Sequence, residues 1–297
     1  MPSRLAPGLC AVLLLAASAP VPAIMAGAPP DSPAVRVDPN TPDSPWAGVG
    51  SLLVDGGVYS AVVIGPRHVL TAAHVAGNAS HTRFQLNAGE SPLVVQAQSV
   101  HRHPGFARYD PKQPRDDLAV IVLRDPLPAG TPVYALHRAG IATANPTPIV
   151  MVGYGASGNG DSGPTVSPAA NVKRVGRNQI DVVATDGQGL QRVFLFDFDG
   201  AGAPNLLGGP SLGNAVEATF AGGDSGGPSF VCEGGQGDGC VGGRWALLGI
   251  NTFIMNPGDP APPPSTFGTL GGGMLLPAYA DWIDEVLLQT GGAPRVP

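Results

Sequence analysis

The stretch AGGDSGGPSF, residues 221–230, sets Ser225 behind Asp224, with Gly222 and Gly223 before the pair and Gly226 and Gly227 after it. Glycine reaches backbone angles closed to other residues and lets a second group approach the main chain closely. One reading is a tight turn. The other is a serine displayed on a strained loop, with backbone N–H groups turned toward a bound group. The second reading requires a base, an orienting acid and a scaffold that brings them together.

Composition bears on the scaffold first. The chain has 297 residues, of which 43 are Gly and 33 Pro, and 43% are hydrophobic. About a quarter Gly plus Pro can signal disorder, but frequent Val, Ile and Leu runs point to a packed, β-rich protein. Short apolar segments such as WAGVGSLLV (46–54), YSAVVIG (59–65), HVLTAAHV (68–75), LAVIVL (118–123), PIVMVGYG (148–155), RVFLFDFD (192–199) and RWALLGINTFI (244–254) are separated by turn residues. Such spacing predicts antiparallel strands in a sandwich or barrel. AYADWIDEVLLQ (278–289) alone reads as a helix, with Tyr279, Trp282, Ile283, Val286 and Leu287 on one face. The Gly/Ser/Asn-rich residues 156–178 and the stretch 200–218 read as long surface loops.

Net charge is −6 and no basic run occurs, so nothing attracts nucleic acid. Residues 1–23 read as an export signal: Arg4, a short apolar core at 9–19, and the small residue Ala23. Cys10 lies inside that core, without the small residues that precede a lipid-modified cysteine. No later segment is apolar for long enough to span a bilayer, so a secreted protein, extracellular or periplasmic, without a membrane anchor is expected. Removal of the signal leaves Cys232 and Cys240, which in an oxidising compartment are expected to pair. The closed loop is short and stabilises by roughly 2–3 kcal/mol. Two cysteines without a nearby histidine make a poor metal ligand set. Asp197 and Asp199 of FDFDG are too few for a calcium shell without help. No metal or cofactor is expected.

Among the six histidines, His74 stands out in LTAAHVAG (70–77), where small neighbours leave the imidazole room. In RDDLAVIVL (115–123) two carboxylates precede a fully apolar run. A carboxylate there is costly to bury without a partner. Asp117 adjoins the run and suits burial against an imidazole; Asp116 reads as solvated. Each signal alone fits an ordinary structural role.

Together they do not: His, Asp, Ser in that chain order is the order of chymotrypsin-like enzymes, and subtilisins and α/β-hydrolases use others. LTAAH, DDLAVIVL and GGDSGGP resemble the histidine, aspartate and serine motifs of the trypsin/chymotrypsin-like serine proteases. VGYG (152–155), LLGINTF (247–253) and YADWIDEV are similar to further family segments, and the resemblance covers most of residues 24–290. It implies an all-β fold of two six-stranded antiparallel Greek-key barrels, at about 46–140 and 145–277, with a terminal helix at 278–289 and a tail at 291–297. It implies Ser225 as nucleophile, His74 as base and Asp117 as its orienting acid, with the N–H groups of Gly223 and Ser225 as an oxyanion hole. The usual family cysteines are replaced by Val75 and Ala221, which fits bacterial members better than animal ones.

The resemblance also places Thr219 at the floor of a specificity pocket, Ile254 on its wall and Thr252 where a family serine bonds the aspartate. An uncharged floor and a branched wall imply cleavage after small or medium apolar residues. Family members commonly mature when a new N-terminus pairs with the aspartate before the serine. Here Ile24-Met25-Ala26-Gly27 would follow signal cleavage, making Ile24 and Asp224 the activating pair, so that one added residue before Ile24 should collapse the oxyanion hole. The competing reading makes residues 24–45 a propeptide removed later. The implied partners are protein or peptide substrates and a protein inhibitor, with the enzyme a monomer. The alternatives are a protease-like binding protein that does not cut, or an esterase using the same three residues.

Overall fold

The computed structural model describes residues 24–89, 91–142, 146–203, 205–258 and 260–294. The expected export signal at 1–23 and the end of the expected tail lie outside them. Six strands make the first lobe: β1 (Val49–Val54), β2 (Gly57–Gly65), β3 (His68–Thr71), β4 (Thr82–Leu86), β5 (Leu93–Arg102) and β6 (Ala119–Leu123). They close into a barrel in the order β1-β2-β3-β6-β5-β4, every neighbour antiparallel. Closure removes free strand edges. The AVIVL run of β6 is buried along its whole length, as its unbroken apolar character requires.

The second lobe carries β7 (Thr147–Gly153), β8 (Ser157–Asn159), β9 (Gly163–Val166), β10 (Arg174–Ile180), β11 (Val182–Thr185), β12 (Gln191–Asp197), β13 (Pro228–Glu233), β14 (Arg244–Met255) and β15 (Leu270–Leu275). Seven of these form one sheet in the order β10-β7-β13-β14-β15-β12-β11. The two ends of that order, β10 and β11, are one stretch of chain interrupted at Asp181. The Asp181 N–H bonds the Leu195 carbonyl at 3.0 Å, and the Asn178 side chain bonds the Asp197 carbonyl at 3.0 Å. The sheet therefore returns on itself as a ring of six strands, with β10 and β11 sharing one place. Cys232 and Cys240 are joined by a disulfide across the β13–β14 connection, Cα atoms 5.4 Å apart.

The helix α1 (Ala280–Gln289) follows a short 3-10 turn. It buries Ile283, Val286 and Leu287, and just past its end Thr290 Oγ1 lies 2.9 Å from His68 Nε2 of β3, so the helix end docks on the first barrel. No helix among the described residues is long and apolar enough to cross a membrane.

Residues 156–178 are not the plain surface loop that their composition predicts. They hold the β8–β9 hairpin and the start of β10, where Lys173 and Arg174 are both fully buried. The reason is a distant partner: residues 24–45 lie across this region as a strap. Lys173 Nζ meets Asp38 Oδ1 at 3.0 Å and the Trp46 carbonyl at 2.8 Å, and Arg174 Nε donates to the Pro33 carbonyl at 2.5 Å. Arg36 pairs with Asp31 and donates to the Val216 carbonyl at 2.8 Å. Ile24, Met25 and Ala26 are wholly buried, with Met25 N–H on the Thr219 carbonyl at 3.0 Å.

Candidate active site

β3 pairs with β6 so that Thr71 faces Ala119. The turn after β3 carries His74, and the residue two before β6 is Asp117. Neighbouring strands thus deliver the two side chains to the same rim. His74 Nδ1 lies 2.6 Å from Asp117 Oδ2, and the His74 backbone N–H donates to Asp117 Oδ1 at 2.9 Å. Asp117 is 3% exposed. A buried carboxylate is tolerable because both its oxygens are occupied, one by a group able to carry the balancing positive charge.

The serine comes from the other lobe. His74 Nε2 stands 3.0 Å from Ser225 Oγ, within hydrogen-bond reach. Ser60 of β2 holds the loop presenting Ser225 at two points and Tyr154 at a third. The Ser60 N–H bonds the Ser225 carbonyl at 3.1 Å, its hydroxyl donates to the Gly223 carbonyl at 3.1 Å, and that hydroxyl also accepts from Tyr154 N–H at 2.9 Å. The glycines are required by shape. Gly223 has φ of +96° and Gly226 of +83°. A Cβ on Gly223 would lie 2.8 Å from the Val58 carbonyl oxygen, and one on Gly226 would lie 2.0 Å from Thr71 Oγ1. Among the described residues the N–H groups of Gly223 and Ser225 donate to no protein acceptor. Two N–H groups without an acceptor beside a serine hydroxyl are able to donate to an anionic oxygen.

Asp224, wholly buried, braces the loop from behind. It accepts from Gly155 N–H at 2.8 Å, from Ala221 N–H at 2.9 Å, and from the Ile24 N–H. Burial pushes its carboxyl up to about 7, against the pull of these donors and of Arg174.

A depression of about 150 Å³ opens next to Ser225, lined by Phe220, Ala221, Gly222, Phe253 and Ile254 with Asn251, Thr252 and Tyr109. Of the expected pocket residues, Thr252 and Ile254 line this depression and Thr219 does not. Thr219 does not line this space: its main chain is tied to Met25 in the strap, it is wholly buried, and Phe220 and Ala221 supply the wall. Thr252 does line it, but its hydroxyl is buried without a hydrogen-bond partner among the described residues, so it does not bond Asp117. Ile254 is among the apolar lining of the depression, next to Phe253.

Asp116 is likewise not simply solvated. It has φ of +51°, and its carboxylate is 3.4 Å from Arg192 Nη1 and 3.7 Å from His103 Nδ1. Adjacent acids thus serve opposite faces, Asp117 toward His74 and Asp116 toward β12. Asp197 and Asp199 serve the 200–218 stretch: Leu207 N–H donates to Asp197 at 2.9 Å and Asn205 to Asp199 at 3.2 Å. Tyr109, which no sequence signal marks, lies with its ring 4.3 Å from that of His74.

A buried acid, an imidazole and a hydroxyl in line, beside two free amides and an apolar recess, suit acyl transfer. Comparison with known proteins agrees. Over 147 residues the chain is 30% identical to Trypsin alpha-4 of Lucilia cuprina, an alignment covering 48% of this chain and 54% of that protein. The chain thus spans about half the length of the curated relative it matches. The Trypsin family description matches residues 39–269, which include all three side chains of the rim. With well over half its length so matched, around an interlobe cleft that holds the histidine, aspartate and serine of the three motifs, the chain belongs to the trypsin family.

Proposed function

We propose that the protein is an exported serine endopeptidase, its catalytic domain spanning residues 24–290 and its first 23 residues acting as the export signal. The observation that carries the reading is the line Asp117–His74–Ser225, with separations of 2.6 and 3.0 Å, next to the open amides of Gly223 and Ser225. Ser225 Oγ attacks the scissile carbonyl carbon while His74 Nε2 takes its proton. Asp117 holds the Nδ1–H tautomer and balances the imidazolium. The developing oxyanion sits between the two amides, each worth roughly 10²–10³ in rate. His74 then passes its proton to the departing amine, leaving an acyl-enzyme that water hydrolyses by the same steps.

The recess supports a preference for small or medium apolar side chains before the cut. Among the described residues no charged side chain lines it, and a space of about 150 Å³ with Phe220, Phe253 and Ile254 on its walls holds a group of roughly benzene size. The substrates are proteins or peptides, a protein inhibitor is an expected partner, and the enzyme works as a monomer outside the cytoplasm. Chain cleavage before Ile24 would place an ammonium on Asp224, in the position its N–H now occupies. A fluorophosphonate probe tests the whole reading. It should label the folded protein at Ser225, and Ser225→Ala should abolish labelling and cut turnover on the order of 10⁶-fold. A folded protein that resists labelling would instead be a protease-like binder.

A further inference from the structure

Behind the serine loop lies Arg174, at 1% exposure the largest wholly buried side chain among the described residues. A guanidinium cannot shed its charge as a lysine can, and a buried charge needs a partner of opposite sign. Pro33 supplies only a neutral carbonyl to Nε, and Nη1 is buried with no hydrogen-bond partner among the described residues.

The sheet register places an anion on the same face, although no nitrogen of Arg174 comes within 4.0 Å of its oxygens. Arg174 of β10 stands directly opposite Gly153 of β7. Side chains of directly opposed residues project from the same face of a sheet. On that face a Cβ at Gly153 would lie 2.2 Å from Asp224 Oδ1. The absent side chain of Gly153 therefore leaves the Asp224 carboxylate open on the face from which Arg174 projects. The two charges act on each other through that opening without touching: burial brings Arg174 down to about 10 and Asp224 opposes that fall, while Arg174 adds a smaller downward pull on Asp224 to that of its backbone N–H donors. In an uncut chain, by contrast, Ile24 offers Asp224 only a neutral peptide N–H.

We propose that Arg174 is a resident counter-charge for Asp224, so that the 221–225 loop holds its two anion-facing amides before any cleavage at Ile24, and the uncut chain is already competent. The proposal builds on the serine-protease reading above. It also revises the sequence-based expectation that one residue added before Ile24 collapses the oxyanion hole. A new ammonium is then the second cation on Asp224, and cleavage tunes the enzyme instead of switching it on. The strap adds a further link: Pro33 holds Nε, so residues 28–45 take part in placing the guanidinium.

The test uses two forms of the mature protein, one starting at Ile24 and one with a single glycine before it. Each is made with Arg174, Arg174→Met and Arg174→Lys, and read by the rate of fluorophosphonate labelling and by kcat/KM on a peptide ester. With Arg174 present the extended form should stay within about tenfold of the trimmed form, one step of 1.4 kcal/mol or less. Arg174→Met should slow the extended form on the order of 10²-fold, the scale of losing an oxyanion donor, and the trimmed form only a few-fold. Arg174→Lys should restore most of the loss. This non-additivity is the signature of two cations serving one carboxylate. An extended form that labels more than about 10²-fold slower with Arg174 in place, or an equal loss in both forms on Arg174→Met, overturns the proposal. Should Arg174→Met fail to fold, the extended form with Arg174 decides alone. Absence of labelling in the trimmed form would fell the protease reading and the proposal together, whereas labelling of the trimmed form alone would fell only the counter-charge.

Discussion

Asp38→Asn isolates what the strap contributes to stability. The substitution keeps the shape of the side chain and an oxygen for the Ser44 hydroxyl, now 2.6 Å away, while removing the charge that faces Lys173 Nζ at 3.0 Å. Both side chains are buried, at 5% and 0% exposure. Taking one partner from a buried pair costs about 3–5 kcal/mol. Linkage supplies a second, independent bound. The stranded ammonium can lose its proton, which at pH 7 costs about 4–5 kcal/mol for a lysine of ordinary pKa near 10.4, and about 2 kcal/mol at pH 9. Burial already lowers Lys173, with Asp38 opposing the shift, and the variant removes that opposition. A lysine whose folded pKa is depressed binds fewer protons folded than unfolded, so stability rises with pH between the two values. Denaturant unfolding in a Ser225→Ala background, which prevents self-digestion, should therefore show a deficit of about 3–5 kcal/mol at pH 7 that shrinks to about 2 kcal/mol at pH 9. A deficit under about 1 kcal/mol, the scale of an exposed pair, or one that does not change with pH, would refute the reasoning. A large deficit would also exclude residues 24–45 as a disposable propeptide, because their removal would strand Lys173 in the same way.

Gly223→Ala should lower kcat on the order of 10²–10³-fold with the protein still folded, since φ of +96° and the Val58 carbonyl both oppose a Cβ at an oxyanion donor; steady-state kinetics beside a circular dichroism spectrum would check it. Ile254→Gly should deepen the recess and raise kcat/KM for large aromatic side chains before the cut. The rise should be roughly 10-fold or more, because each further methylene buried in an apolar pocket is worth about that much; profiling on a peptide mixture reads this directly. Asp181 gives a pH prediction. Burial and the neighbouring Asp197 push its carboxyl up to about 7, so the folded chain keeps a proton that the unfolded chain has released. The stability this contributes is present below the unfolded value of about 4 and is lost as pH rises through about 7. Asp181→Asn should therefore match the native protein more closely at pH 5 and exceed it at pH 8, in thermal midpoints measured at both.

Much of the fold was legible because its strands are local apolar runs. β1, β2, β3 and β6 follow segments whose hydrophobic residues are consecutive, and the helix shows its period plainly. β15 was not visible, for a physical reason. Its sequence LGGGML lacks the side chains that mark a strand, and the missing volume is filled from elsewhere. A Cβ at Gly271 would meet the ring of Phe196, and one at Gly272 the ring of Phe253. β4, TRFQL, is short and mixed in character, and only its pairing with β1 and β5 makes it a strand. The three rim residues of the site were legible from motif and order. Tyr109 was not, because its place over His74 depends on how the 103–117 connection folds back. Arg174 was hidden most deeply: a polar stretch reads as surface unless its partner is known, and that partner, the Pro33 carbonyl, lies far away in the chain.

That last case shows how the site depends on parts remote from it. His74 and Asp117 belong to one barrel and Ser225 to the other, so the 3.0 Å separation across the cleft is a statement about how the lobes sit together. Ser60 fixes it from the front, reaching from β2 to both the Ser225 and Gly223 carbonyls. Lys173 fixes it from behind, a buried cation just before β10 that is balanced only if the strap stays in place, and beside it the Pro33 carbonyl of the strap holds Arg174 Nε. A core built of apolar side chains alone could pack these lobes in more than one nearby orientation, since such contacts are non-directional. Charged groups that have been taken out of water permit far fewer, because a small slip leaves a charge unpaired at a cost of several kcal/mol. The strap therefore bears on the registry of the cleft as well as on stability. Changes to Asp38 or Pro33 should consequently be felt at Ser225, although neither residue touches it.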